Sequence, residues 1–144
     1  MIRSLAELAR VAGGVLHGAD TPFAAVSTDS RALEPGSLFV ALRGERFDGH
    51  QFVPDLAPRG AAGALVERHV SVALPQVVVR DALAGLAAFA SAWRAACNAR
   101  VVGVTGSNGK TTVKEMIGAI LAGEGQTLVT RGNLNNHIGV PLTL

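Results

Sequence analysis

The sequence predicts an α/β fold in two parts, a small mixed α/β domain over residues 1–80 and the first βαβ unit of an open parallel sheet over residues 81–144. Three observations carry this. Short apolar runs of strand length alternate with turn signals as far as Val79, an apolar run of helix length follows Asp81, and Val101–Thr130 reads strand, Gly-rich turn, helix, strand. One βαβ unit cannot cover both faces of a parallel sheet. The second part is therefore expected to be incomplete at Leu144 and to expose apolar surface after Asp81.

In chain order, Ser4-Leu5-Ala6-Glu7 has the spacing of a capping box, and Leu5, Leu8, Ala9 and Ala12 follow at helical intervals until Gly13-Gly14 stops the helix. Ala25–Thr28 and Ser37–Leu42 read as strands separated by the turn Glu34-Pro35-Gly36. Arg43–His50 is polar and reads as a loop, and Pro54–Arg59 as a short helix ending at Gly60. Ala64–Val66 and Val77–Val79 are expected as buried strands. Asp81 is placed to cap a helix running to about Cys97. A third buried strand is expected at Val101–Thr105, then a tight loop Gly106–Gly109, a helix Lys110–Ala122, a strand Leu128–Thr130 and an Asn-rich loop Arg131–Gly139.

Composition removes several functional classes. With 49% apolar and 17% charged residues, the chain has material for a core of Ala, Val and Leu, and disorder is not expected. The longest uncharged apolar run, Ala82–Trp93, is shorter than the roughly 18 residues a membrane span requires. Glu7 and Arg10 interrupt any apolar signal core near Met1, and the single Cys97 fits a reducing compartment, so the expected location is cytoplasmic. The net charge is only +2, and the 13 basic residues are dispersed without interleaved aromatics, which argues against a nucleic-acid surface. Lys110 and Lys114 are the only lysines. The oligomeric state is not readable.

The chemistry concentrates in Val101–Thr112. Phosphates require several donors converging where no side chain intrudes. Gly106 and Gly109 let the backbone turn tightly around Ser107 and Asn108, and the helix starting at Lys110 adds its N-terminal N–H groups and positive dipole end. Lys110 supplies a compact charge for β- and γ-phosphates, and the Thr111 hydroxyl a ligand for Mg²⁺. The general P-loop pattern places a glycine where this chain has Val104; Gly106 provides the flexibility two residues later. On the residues alone, Asp29-Ser30-Arg31 reads as an Asp/Ser turn with a solvated arginine, and His50 as a solvated loop histidine.

Thr105-Gly106-Ser107-Asn108-Gly109-Lys110-Thr111-Thr112 resembles the variant nucleotide loop of the Mur ligase and folylpolyglutamate synthase superfamily. Ser27–Arg31, Pro35–Ala41 and Gly44–His50 resemble the uridine-nucleotide domain of Mur ligases that add the third and later peptide residues. Gly132–Thr143 resembles the branch that adds D-alanyl-D-alanine. The resemblance implies a small mixed α/β uridine-nucleotide-binding domain followed by the start of a P-loop-type ATP-binding domain. It implies ATP and Mg²⁺ as cofactors, UDP-N-acetylmuramoyl-tripeptide and D-alanyl-D-alanine as partners, and an acyl-phosphate intermediate. Lys110 and Thr111 become the expected catalytic pair, with Thr111 on the metal and Gly106, Ser107, Asn108, Gly109 and Thr112 as further nucleotide contacts.

The same resemblance makes Ser30 and Arg31 contacts of the uridine diphosphate, with Asp29 shaping the turn. Asp48 and His50 then become part of the uridine or sugar site. Asn133, Asn135 and Asn136 lie where open α/β sheets bind ligands; their amides either donate to ligand groups or satisfy turn backbone. Compared with the family, the chain is expected to lack a metal-binding glutamate, a carbamylated lysine and the C-terminal domain, and to be unable to complete ligation alone. A same-family ligase adding the third residue, a P-loop NTPase of unrelated role and a non-catalytic UDP-sugar-peptide-binding module are the alternatives.

Overall fold

A computed structural model describes residues 4–44, 47–132, 134 and 136–143. The chain divides into two compact units, Met1–Cys97 and Asn98–Thr143.

In the first unit, helix α1 (Leu5–Ala12) starts where Ser4 Oγ accepts the Glu7 N–H at 3.4 Å and ends at Gly13, whose left-handed φ of 64° returns an N–H to Ala9. A five-stranded sheet follows, composed of β1 (Val15–His17), β2 (Ala25–Ser27), β3 (Ser37–Val40), β4 (Gly63–Val66) and β5 (Gln76–Val78) in the order β1-β5-β4-β3-β2. β2, β3, β4 and β5 are parallel neighbours, and β1 joins β5 antiparallel. Every residue of β3 and β4 is buried, as expected of parallel strands covered on both faces. On one face Phe39, Ala64 and Val66 meet Val53, Leu56 and Leu74. The alternate residue Leu65 meets Gly85 of α2 (Ala82–Ala96) on the other. Asp81 caps α2 by accepting the Ala84 N–H at 2.9 Å.

Four expectations change. The compact unit runs past residue 80 to Cys97, because α2 packs on α1 and β4. β1 joins the sheet although its three residues carry no strand signal of their own. The helix expected at Pro54–Arg59 gives way to a 3₁₀ segment, Gly49–Asp55, because the Asp48 carboxylate caps the chain earlier by accepting the His50 N–H. In the second unit the helix α3 (Lys110–Ala122) forms as expected, but Val101–Thr105 and Leu128–Thr130 are not strands. A strand exists only within a ladder, and these segments join none among the described residues. The second segment does lie along α3: Lys114 Nζ donates to the Thr130 carbonyl at 2.6 Å, and Gly118 leaves room for Val129. A short helix α4 (Gly139–Thr143) closes the described chain.

Candidate functional site

Three neighbouring parallel strands end on the same edge of the sheet, the edge where ligands bind in such folds. The segments leaving them are Thr28–Arg31 after β2, the described residues 41–44 and 47–50 after β3, and Glu67–Arg68 after β4. The sequence expectations Asp29, Ser30, Arg31, Asp48 and His50 therefore fall at one end of one sheet.

Asp29 fixes the first segment. Ser27 Oγ accepts the Asp29 N–H at 3.1 Å and donates to its carbonyl at 3.0 Å. Asp29 Oδ1 accepts the Arg31 N–H at 2.9 Å and starts the 3₁₀ turn Ser30–Ala32. The Arg31 guanidinium then grips the same carboxylate with Nε at 3.0 Å and Nη2 at 2.7 Å. That side-chain pairing, helped by the Arg31 N–H, holds the Asp29 carboxyl at a pKa of about 2, and the carboxylate raises that of Arg31 in return. The Arg31 side chain is 88% exposed, so its remaining N–H donors face solvent from an oriented fork. The Ser30 carbonyl accepts from Arg59 Nη1 at 2.9 Å, which ties the turn to a distant loop.

The second segment is built differently. Asp48 Oδ1 accepts both the His50 N–H at 3.0 Å and its ring Nδ1 at 2.6 Å, while Oδ2 accepts from Arg68 Nη2 at 2.8 Å. Arg68 first, and the His50 donors after it, hold the Asp48 carboxyl well below the usual carboxylate range. On the far side of the ring, Nε2 accepts the Glu67 N–H at 2.9 Å, which assigns the proton to Nδ1. Glu67 Oε1 in turn accepts the Ala82 N–H at 3.1 Å, at the start of α2. Gly49 lies between the two tied residues because a Cβ there would meet the Leu42 carbonyl at 2.8 Å. His50 is only 3% exposed with both ring nitrogens occupied. The ring is thus buried rather than solvated, and its nitrogens hold Asp48 and the Glu67 backbone. Glu67, Arg68 and Arg59 carry this arrangement with no signal in the local sequence, since each acts across the fold.

In the second unit the loop Gly106–Gly109 takes the shape the glycines permit, with φ of 150° at Gly106 and 75° at Gly109. Gly109 is the N-cap of α3, supplies no side chain to the helix end, and no acidic residue occupies the first turn. The orphan N–H groups and positive end of the helix are thus left for an anion. Lys110 Nζ donates to the Gly106 carbonyl at 2.5 Å and reaches that of Ser107 at 3.5 Å, so its charge stays beside the loop. Ser107, Asn108, Thr111 and Thr112 are exposed around it. A phosphate chain fits this donor set, and the Thr111 hydroxyl at the helix start suits an oxygen-ligated Mg²⁺ that keeps most of its waters. Further along, Asn136 Oδ1 accepts the N–H groups of Ile138 at 3.1 Å and Gly139 at 2.7 Å. Of its two sequence readings, the oxygen thus takes the backbone-satisfying one. Asn133 and Asn135 lie outside the described residues.

A profile of the Mur ligase family, catalytic domain, matches residues 22–122, and one of the Mur ligase middle domain matches residues 104–144. The chain is 50% identical over 141 residues to the UDP-N-acetylmuramoyl-tripeptide–D-alanyl-D-alanine ligase of Escherichia coli, covering 98% of this chain and 31% of that protein. The ligase of the same description from Bacillus subtilis is 46% identical over 135 residues, covering 90% of this chain and 28% of that protein. The chain thus spans under a third of the length of these relatives. Among solved structures, the UDP-N-acetylmuramoylalanyl-D-glutamyl-2,6-diaminopimelate–D-alanyl-D-alanyl ligase of Acinetobacter baumannii superposes with a TM-score of 0.87 at 41% identity, over 94% of this chain and 31% of that one. MurF ligase from Thermotoga maritima, in complex with ADP, gives 0.73 at 35% identity over 83% of this chain and 28% of that one. The chain belongs to the Mur ligase family.

Proposed function

We propose that this chain is the N-terminal portion of a cytoplasmic, ATP-dependent ligase that joins UDP-N-acetylmuramoyl-tripeptide to D-alanyl-D-alanine. The observation that carries this is the 50% identity over 98% of the chain to a ligase of that description. In this reading the γ-phosphoryl group of ATP passes to the terminal carboxylate of the tripeptide, the dipeptide amine attacks the acyl phosphate, and inorganic phosphate leaves. Gly106–Gly109 and the start of α3 cradle the phosphates, while Lys110 balances charge on the β- and γ-phosphates. Thr111 contributes to holding Mg²⁺, whose chemistry is to neutralise charge on the transferred group. Residues 1–80 hold the uridine-nucleotide substrate, with Arg31 offering its oriented fork to the diphosphate and Ser30 its hydroxyl.

The test is calorimetric titration of the chain with UDP-N-acetylmuramoyl-tripeptide, beside an Arg31→Ala variant. Saturable binding is expected, weakened about tenfold or more in the variant, as for the loss of a charge-assisted contact to phosphate. A folded chain that takes up no ligand would sink the substrate assignment. Tighter binding of the UDP-N-acetylmuramoyl-dipeptide would move the reading to the ligase that adds the third residue.

A further inference from the structure

At the antiparallel edge of the sheet, two histidines face each other with no part in the substrate or phosphate sites. His17 ends β1 and His69 lies in the loop after β4. Their ring centroids stand 5.0 Å apart with planes inclined by 44°. Both rings are exposed and line an open cavity of about 310 Å³ with Gly18, Val72 and Pro75.

A single buried residue ties together the two segments that carry the pair. Gln76 is the register partner of His17 across β1 and β5. Its side chain reaches back to the loop that carries His69, accepting the Val70 N–H at 2.9 Å and donating to the carbonyls of Val70 at 2.7 Å and Leu74 at 3.3 Å. Backbone and side chain of Gln76 therefore hold the two backbone segments from which the imidazoles project, which keeps the two rings within reach of each other.

We propose that His17 and His69 bind a divalent transition metal of the zinc or nickel type. Imidazole nitrogens suit that class of ion. Two rings sharing a metal at nitrogen–metal bonds of about 2.1 Å and a near-tetrahedral angle bring their centroids about 5 Å apart. His50 has both nitrogens engaged, and His137 belongs to the other unit. No cluster of three or more His, Cys, Asp or Glu occurs among the described residues, so the other coordination positions fall to water or to an exogenous donor. The site is accordingly an open and exchangeable one.

The test is calorimetric titration of Zn²⁺ into the full chain carrying Cys97→Ser, which removes its one thiol. One saturable site is expected. His17→Ala and His69→Ala, each introduced singly, should weaken it by more than about tenfold, beyond what loss of an outer hydrogen-bond partner usually causes. Both side chains are exposed, and an unchanged melting temperature in each variant would show that the fold is intact. Absence of a saturable site, or binding that survives either single substitution, would overturn the proposal and leave the pair as a ring contact only.

Discussion

In the unit Met1–Cys97 every strand has a paired neighbour, and Leu38, Leu65 and Val66 are fully buried. In Asn98–Thr143 the strand-length segment Val101–Thr105 has no ladder, and Val101, Ile120 and Leu128 are 57%, 70% and 75% exposed. The two units also hold their candidate groups by different means. In the first, side chains fix side chains: Asp29 orients Arg31, and His50 fixes Asp48. In the second, backbone conformation sets the site, with Gly106 and Gly109 shaping a loop whose one side-chain brace among the described residues is Lys110. A site made of backbone N–H groups and one helix end needs little surrounding core. A site made of oriented carboxylates and guanidinia needs a rigid sheet beneath it.

The largest expected effect tests the difference in packing. Leu65→Ala, at a position with no exposure between α2 and the sheet, should destabilise the first unit by about 2–5 kcal/mol. Ile120→Ala, on the exposed face of α3, should stay within about 0.5 kcal/mol. Urea unfolding followed by circular dichroism measures both. Equal losses would show that the second unit buries Ile120 in solution, and the contrast between the units would fail.

What could be read in the sequence divides along the same line. The helices α1, α2 and α3 were legible because their signals are local: the Ser4–Glu7 spacing, the Asp81 cap, and Gly109 before Lys110. The α/β class and the strands β2 to β5 were legible from apolar runs bounded by turns. β1 was not, since Val15–His17 is a strand only through its pairing with β5. Val101–Thr105 was misread for the converse reason: its apolar run carries strand propensity but finds no partner among the described residues. In the candidate site, the Asp29–Arg31 turn was legible from its Asp and Ser residues, whereas Asp48 and His50 entered only through the family resemblance, the residues alone reading as a solvated loop. The burial of His50 depends on Glu67, which lies far away in sequence and close in space.

The second effect concerns that buried ring. His50→Ala leaves the Glu67 N–H and one face of Asp48 without partners, for a loss of about 2 kcal/mol in urea unfolding at neutral pH. Asp48 gives the same contrast a pH dependence. Its carboxyl is depressed in the folded chain from an ordinary value of 3.8, so its contribution is fully present above that value and is lost as pH falls through the lower, folded one. The melting temperature of the chain should fall between about pH 5 and pH 2, and less steeply in Asp48→Asn. Identical slopes would mean that Arg68 and His50 do not hold the charge as the distances indicate.

The smallest effect belongs to the backbone-built site and separates it most cleanly from the other. Gly109 has open space around its Cα, so what excludes a side chain there is its positive φ rather than a clash. Gly109→Ala asks a residue with a Cβ to keep a left-handed conformation, at a cost of about 1 kcal/mol. If the loop shape is what receives phosphate, that cost should appear as a roughly fivefold weaker affinity for ADP. The melting of the first unit, measured on the same sample, should not move. An affinity unchanged in Gly109→Ala would mean that phosphate is held by Lys110 as a free charge, with the loop contributing nothing. A lowered melting temperature of the first unit would mean instead that the two units unfold as one.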